Sequence, residues 1–243
     1  MGHLGVAPSP GTPVTTAALN SVAARVAQVQ ERIAQACRRA DRDPAAVTLV
    51  AVSKTWPADA LIEAWRAGVT DFGENRVQEA LEKMPAVAAA TGDKARFHFV
   101  GHLQTNKASL AAHQFHVIHS LDSARIVARV GAATPGPRVL PVLLEVNVSG
   151  ESSKFGVPAG AIGNLLAAAA PFPNISVRGL MTVAPRAESP EDVRPTFVAL
   201  RRLAEAHGLP WLSMGMTEDF EVAIEEGATH VRIGRAIFGE RGA

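Results

Sequence analysis

The chain has 243 residues, 47% of them apolar, and sets 24 Lys and Arg against 23 Asp and Glu. That length can bury one large core, while the near-neutral balance leaves no surplus positive charge to drive nucleic-acid binding. A lone cysteine, Cys37, excludes an internal disulfide and a cysteine-rich metal site, and fits a reducing compartment such as the cytoplasm.

Residues 1–14 are rich in Gly and Pro and lack the charged start and apolar middle of an export signal, so they read as a disordered tail ahead of one domain spanning 15–243. No run approaches the roughly twenty apolar residues that span a bilayer, so no membrane partner is expected. From Thr15 to Ala40, the residues Leu19, Val22, Val26, Val29 and Ile33 recur every three or four positions, which predicts a leading helix. Short β-branched runs then alternate with helical stretches to the end of the chain. The runs are Val47 to Ser53, Thr70 to Gly73, Phe97 to Gly101, His116 to Ser120, Leu140 to Val148, Ser176 to Val183, Trp211 to Met214 and His230 to Gly234.

Between these runs, Pro57 and Pro158 suit first helical positions, Ser189 with Asp192 resembles a capping box, and Gly68 and Gly227 suit helix ends. Eight strands separated by helices predict an α/β fold, a single (β/α)8 TIM barrel with an additional N-terminal helix. An open doubly wound sheet gives a similar pattern, but strand count and chain length favour the barrel.

Barrels carry their chemistry at the carboxyl ends of the strands. Lys54 ends the first run, after Leu49-Val50-Ala51-Val52-Ser53. An amine at the rim of a dry interior is disfavoured as ammonium, which frees the lone pair that imine formation with an aldehyde needs. A snorkelling surface lysine is the alternative. The last two runs end in Ser213-Met214-Gly215-Met216 and Arg232-Ile233-Gly234-Arg235-Ala236, where barrels commonly hold phosphate. Gly215 and Gly234 would admit an anion to the backbone, Ser213 adds a hydroxyl and Arg235 a guanidinium. Glycines that merely shape the turns are the alternative.

Strand alternation sends His230, Arg232 and Gly234 into the barrel, together with Glu145 and Asn147 of the fifth run. Arg232 either pairs with a carboxylate there or faces the ring nitrogen of a bound pyridine, where it would oppose ring protonation. Asn75, closing Phe72-Gly73-Glu74-Asn75, either bonds a ring hydroxyl or caps the next helix. His98 reads as a structural histidine. His98 and His102 have no obvious third ligand, so no metal is expected.

These segments resemble the YggS/PROSC family of pyridoxal 5′-phosphate (PLP) homeostasis proteins. The shared residues are Ala51-Val52-Ser53-Lys54-Thr55, Phe72 to Asn75, His98 to Gln104, Gly179-Leu180-Met181, Ser213 to Met216 and Arg232 to Gly239, and the likeness runs from about Ala17 to Gly239. The resemblance implies a barrel like the amino-terminal domain of bacterial alanine racemase, with PLP held as a Schiff base on Lys54. It places Ser213, Gly215 and Gly234 at the phosphate, and Arg232 and Asn75 along the ring. Arg235 stands where many relatives have Ser or Thr, and Thr217 where they commonly have Ser. A PLP carrier without catalytic residues is expected, a monomer or weak dimer that supplies apo PLP-dependent enzymes. An amino-acid racemase is the alternative. It needs a base on each face of the cofactor, a tyrosine in related racemases, and this sequence contains no tyrosine. The chain also ends soon after the eighth run, without an extra β domain. A barrel binding another phosphorylated aldehyde is the third reading.

Overall fold

The computed structural model describes residues 21–151 and 154–240. The expected tail at 1–14 and the first turns of the leading helix, Leu19 included, lie outside these. The described part of that helix, α1, is Val22–Arg39, capped by the Ser21 hydroxyl, which accepts from Ala24 N–H. Val22, Val26, Val29 and Ile33 are buried along one face, as their spacing predicts.

Eight strands follow: β1 Thr48–Val52, β2 Asp71–Glu74, β3 Arg96–Phe99, β4 Val117–Leu121, β5 Leu140–Glu145, β6 Ile175–Met181, β7 Trp211–Ser213 and β8 His230–Ile233. They form a closed barrel in sequential order, every pair parallel. Closure runs through β1 and β8, with Thr48 beside His230 and Ala51 beside Ile233. The helices α2 Ala58–Arg66, α3 Val77–Thr91, α4 Ala108–Gln114, α5 Ala124–Ala133, α6 Ile162–Ala169, α7 Arg194–Ala206, α8 Phe220–Glu225 and α9 Arg235–Phe238 lie between or after the strands. The Ser189–Asp192 capping box is present, and Gly68 and Gly227 take φ of 97° and 98°, which Gly adopts without a Cβ penalty. Among the described residues no helix is long and apolar enough to cross a membrane.

Sheet and helices sandwich one continuous apolar core, in which Ala51, Phe72, Ile118, Leu144, Val231 and Ile233 face outward from the strands. Inside the barrel the apolar filling is small, built on Val117, Leu143 and Met181. Many other interior positions are buried polar groups: Asp71, His98, His119, Ser213, His230, Arg232 and Glu145. Such groups are tolerated in a dry interior when they satisfy one another, and most of these do.

Candidate cofactor site

A cavity of about 870 Å³ opens at the carboxyl ends of the strands, and Lys54, Asn75, Arg232, Gly234 and Arg235 all line it. Lys54 follows β1 directly. Ser53 C=O accepts from Trp56 N–H at 3.1 Å, closing a turn with Lys54 and Thr55 at its centre. Trp56 also lines the cavity and stacks on Phe238 with ring centroids 5.9 Å apart, which ties this wall to α9.

Asn75 does not cap the following helix: the residue at the start of α3 is Arg76, which makes no side-chain cap bond. Its Oδ1 is buried with no hydrogen-bond partner among the described residues. An orphaned acceptor beside a cavity fits a ligand hydroxyl. Asn75 is held from behind by Gly101, where an added Cβ would lie 2.4 Å from Asn75 C=O.

Arg232 is buried on β8. It donates to Ser213 Oγ at 2.7 Å and to Thr182 C=O at 2.8 Å, not to Glu145. Burial lowers its pKa to about 10, so it remains a cation at neutral pH. Glu145 has a buried Oε2 with no hydrogen-bond partner among the described residues, and burial, with Asp122 nearby, raises its carboxyl to about 7.

Ser213 and Gly215 lie outside the cavity walls. The Ser213 hydroxyl is occupied by Arg232 on one side and His119 Nδ1 on the other, at 2.8 Å. Gly215 takes φ of 91°, and a Cβ there would meet Ala223 Cβ at 2.6 Å. Gly234 does line the cavity, close enough to β1 that a Cβ would sit 3.2 Å from Val52 C=O. The Arg235 guanidinium is half-exposed and paired with Glu218 at 2.6 Å.

The two histidines weighed as metal ligands point to different partners. His98 bonds Asp71 and His119 inside the barrel, whereas His102 stacks on Phe155 at 4.0 Å and pairs with Asp122 at 3.2 Å. Asn147 is half-buried and organises the loop after β5, accepting from Gly150 N–H and donating to Glu151 C=O. Lys154 bonds Glu151 and Val183 C=O, and Gly156 takes φ of 102° where a Cβ would press on Asn147 N at 2.7 Å. This segment therefore folds back on the end of β5.

The sequence pattern of the family described as "Alanine racemase, N-terminal domain" matches residues 1–242. A curated relative from Aquifex aeolicus (strain VF5), named "Pyridoxal phosphate homeostasis protein", is 44% identical over 89% of this chain and 97% of its own. One of the same name from Escherichia coli (strain K12) is 41% identical over 92% of this chain and 98% of its own.

The chain belongs to the pyridoxal phosphate homeostasis protein family.

A protein of known structure, PipY of Synechococcus elongatus PCC7942, was solved with PLP bound. It is 34% identical to this chain, covers 87% of it and 100% of itself, and superposes with a TM-score of 0.72. Alanine racemase from Bartonella henselae, at 16% identity and a TM-score of 0.66, shares the barrel; the alignment spans 92% of this chain and 62% of the racemase.

Sequence reading missed Lys83, His119 and Thr182. Lys83 carried a signal: Val77, Ala80, Lys83 and Val87 share one buried helical face, so a lysine stood at a core position. His119 carried one too, since β4 alternation points it inward with Val117.

Proposed function

We propose that this protein holds PLP as a Schiff base on Lys54 and contributes to intracellular PLP supply, releasing the cofactor to apo-enzymes without turning over amino acids. The observation that carries this reading is that Lys54, Asn75, Arg232 and Gly234 line one cavity at the strand ends. The homeostasis relatives and the PLP-bound PipY support it. When bound, PLP supplies an aldehyde, which condenses with the Lys54 amine as one water leaves, and an electron-accepting ring.

Each residue then has a chemical task. Lys54 provides the amine. Asn75 offers its unpartnered Oδ1 to the ring hydroxyl. Arg232, a donor-only cation, sits where it opposes protonation of the ring nitrogen and so weakens the ring as an electron sink. Gly234 lets the phosphate approach backbone at the start of α9, with Arg235 beside it. Ser213 and Gly215, at the end of β7, would join Gly234 at the phosphate, and Ser213 also holds Arg232. The lack of tyrosine removes the base that the related racemases use opposite the lysine. The cytoplasm and a monomer or weak dimer complete the proposal.

The test is reduction of the PLP-loaded protein with borohydride, followed by peptide mass spectrometry. The label is expected on Lys54, and Lys54→Ala is expected to fold normally and lose the imine absorption. An unchanged imine band in that variant would refute the assignment, and substantial racemisation of alanine by the parent would restore the enzyme reading.

A further inference from the structure

Lys83 is a buried cation on α3, its side chain 8% exposed. Its ammonium has three donors, and all three are used at 2.8 Å: on Ser53 C=O, Glu74 Oε1 and Glu79 Oε1. Glu74 Oε1 also accepts the Ser53 hydroxyl at 2.7 Å, and Glu79 Oε1 accepts Thr55 N–H. One ammonium therefore grips the chain on both sides of Lys54, directly at Ser53 and through Glu79 at Thr55.

The backbone between those two grips is strained. Thr55 takes φ of 71°, a left-handed conformation that β-branched residues avoid and that the third position of such a turn normally assigns to Gly or Asn. Strained backbone persists where the surroundings hold it, and here the holding groups are the Glu79 carboxylate and the Ser53–Trp56 turn bond.

We propose that Lys83, acting through Glu74 and Glu79, is a positioning residue that clamps the Ser53–Trp56 turn and thereby presents the Lys54 amine to the cofactor aldehyde. This rests on Lys54 being the attachment lysine. The clamp removes the turn's freedom before the cofactor arrives, and misplacing a reacting atom by an ångström is costly in rate.

The experiment mixes PLP rapidly with the full-length protein and follows imine absorption, then fixes the product with borohydride. Lys83→Met is expected to slow linkage to Lys54 by roughly tenfold and to lower the fraction of bound PLP fixed there. A folded Lys83→Met protein with the parental rate and fraction overturns the proposal. Should Lys83→Met fail to fold by circular dichroism, Glu79 decides, being only half-buried. Glu79→Ala is expected to be several-fold slower, whereas Glu79→Gln keeps an acceptor for Thr55 N–H and should restore the rate. An unaffected Ala variant, or a Gln variant as slow as Ala, overturns the clamp. Failure to label Lys54 in the parent would sink the attachment reading as well; a labelled parent beside an unaffected Lys83→Met sinks the clamp alone.

Discussion

Arg232 Nη1 donates to Ser213 Oγ at 2.7 Å, and that bond is the first of a chain crossing the barrel interior. Ser213 Oγ meets His119 Nδ1 at 2.8 Å, His119 Nε2 meets His98 Nδ1 at 2.9 Å, and His98 Nε2 meets Asp71 Oδ1 at 2.8 Å. A guanidinium can donate but not accept, and an ionised carboxylate can accept but not donate. The two ends therefore fix the direction of every proton between them.

The first prediction is a pair of tautomers. The Ser213 hydroxyl must donate to His119 Nδ1, which accepts, so His119 and His98 both carry their hydrogen on Nε2. Burial holds both rings below the usual histidine pKa, His119 well below, despite the Asp71 carboxylate beside His98. Nitrogen-15 spectra at pH 8 should show unprotonated Nδ1 on both rings. A Nδ1-protonated signal from either ring would break the chain as drawn.

Ser213→Ala tests the joint itself. The variant leaves an Arg232 donor and His119 Nδ1 buried without their partner, and a buried unsatisfied group costs about 1–3 kcal/mol. We expect that loss in urea unfolding of the protein without PLP, because the bonds are present before any cofactor arrives. If Ser213 served the phosphate alone, the cofactor-free protein would keep its stability.

Much of this arrangement was legible in the sequence, for definite reasons. Every strand carries apolar residues on the face packed against the helices, so all eight are legible in the sequence, and the alternation Val231, Ile233 outward against His230, Arg232 inward holds in the structure. The fifth apolar run reaches Val148 in the sequence, but β5 ends at Glu145, because Asn147 N–H bonds Val157 C=O on the returning segment. Lys54 and Asn75 were legible as strand-end residues. The commitment of the Ser213 hydroxyl was not, since its partners His119 and Arg232 lie 94 and 19 residues away. Lys83 was visible as a charge at a core position, but its role was not, because that role exists only once α3 packs Lys83 and Glu79 against Glu74 and the β1 turn.

Gly101→Ala should act on the site from a distance. A Cβ there would lie 2.4 Å from Asn75 C=O and 2.7 Å from Asn75 Cα, backbone atoms that cannot swing aside. Overpacking of this kind costs about 1–3 kcal/mol, and relief requires Asn75 to move. We expect lower thermal stability together with PLP affinity weakened by roughly tenfold, about 1.4 kcal/mol. Equilibrium binding followed by absorbance checks it, and parental affinity would mean that Asn75 does not touch the cofactor.

Glu145→Gln should stabilise the cofactor-free protein, with a defined pH dependence. Glu145 is 5% exposed and its Oε2 has no hydrogen-bond partner among the described residues. Burial, with the Asp122 carboxylate adding to it, raises its pKa from 4.5 to about 7. A raised carboxyl pKa means that the folded state binds more protons than the unfolded chain between those two values, so this group's penalty grows as pH rises through the window and is complete above about 7. The shift corresponds to about 3 kcal/mol at most. Glutamine has nearly the same shape and carries no charge, so its gain should approach that figure at pH 8, shrink through pH 6 and vanish below 4.5. Urea unfolding of parent and variant at these pH values reads the difference directly. A gain independent of pH would locate the effect in packing, and a loss at pH 8 would show that the Glu145 charge is worth more to Arg232 than its burial costs.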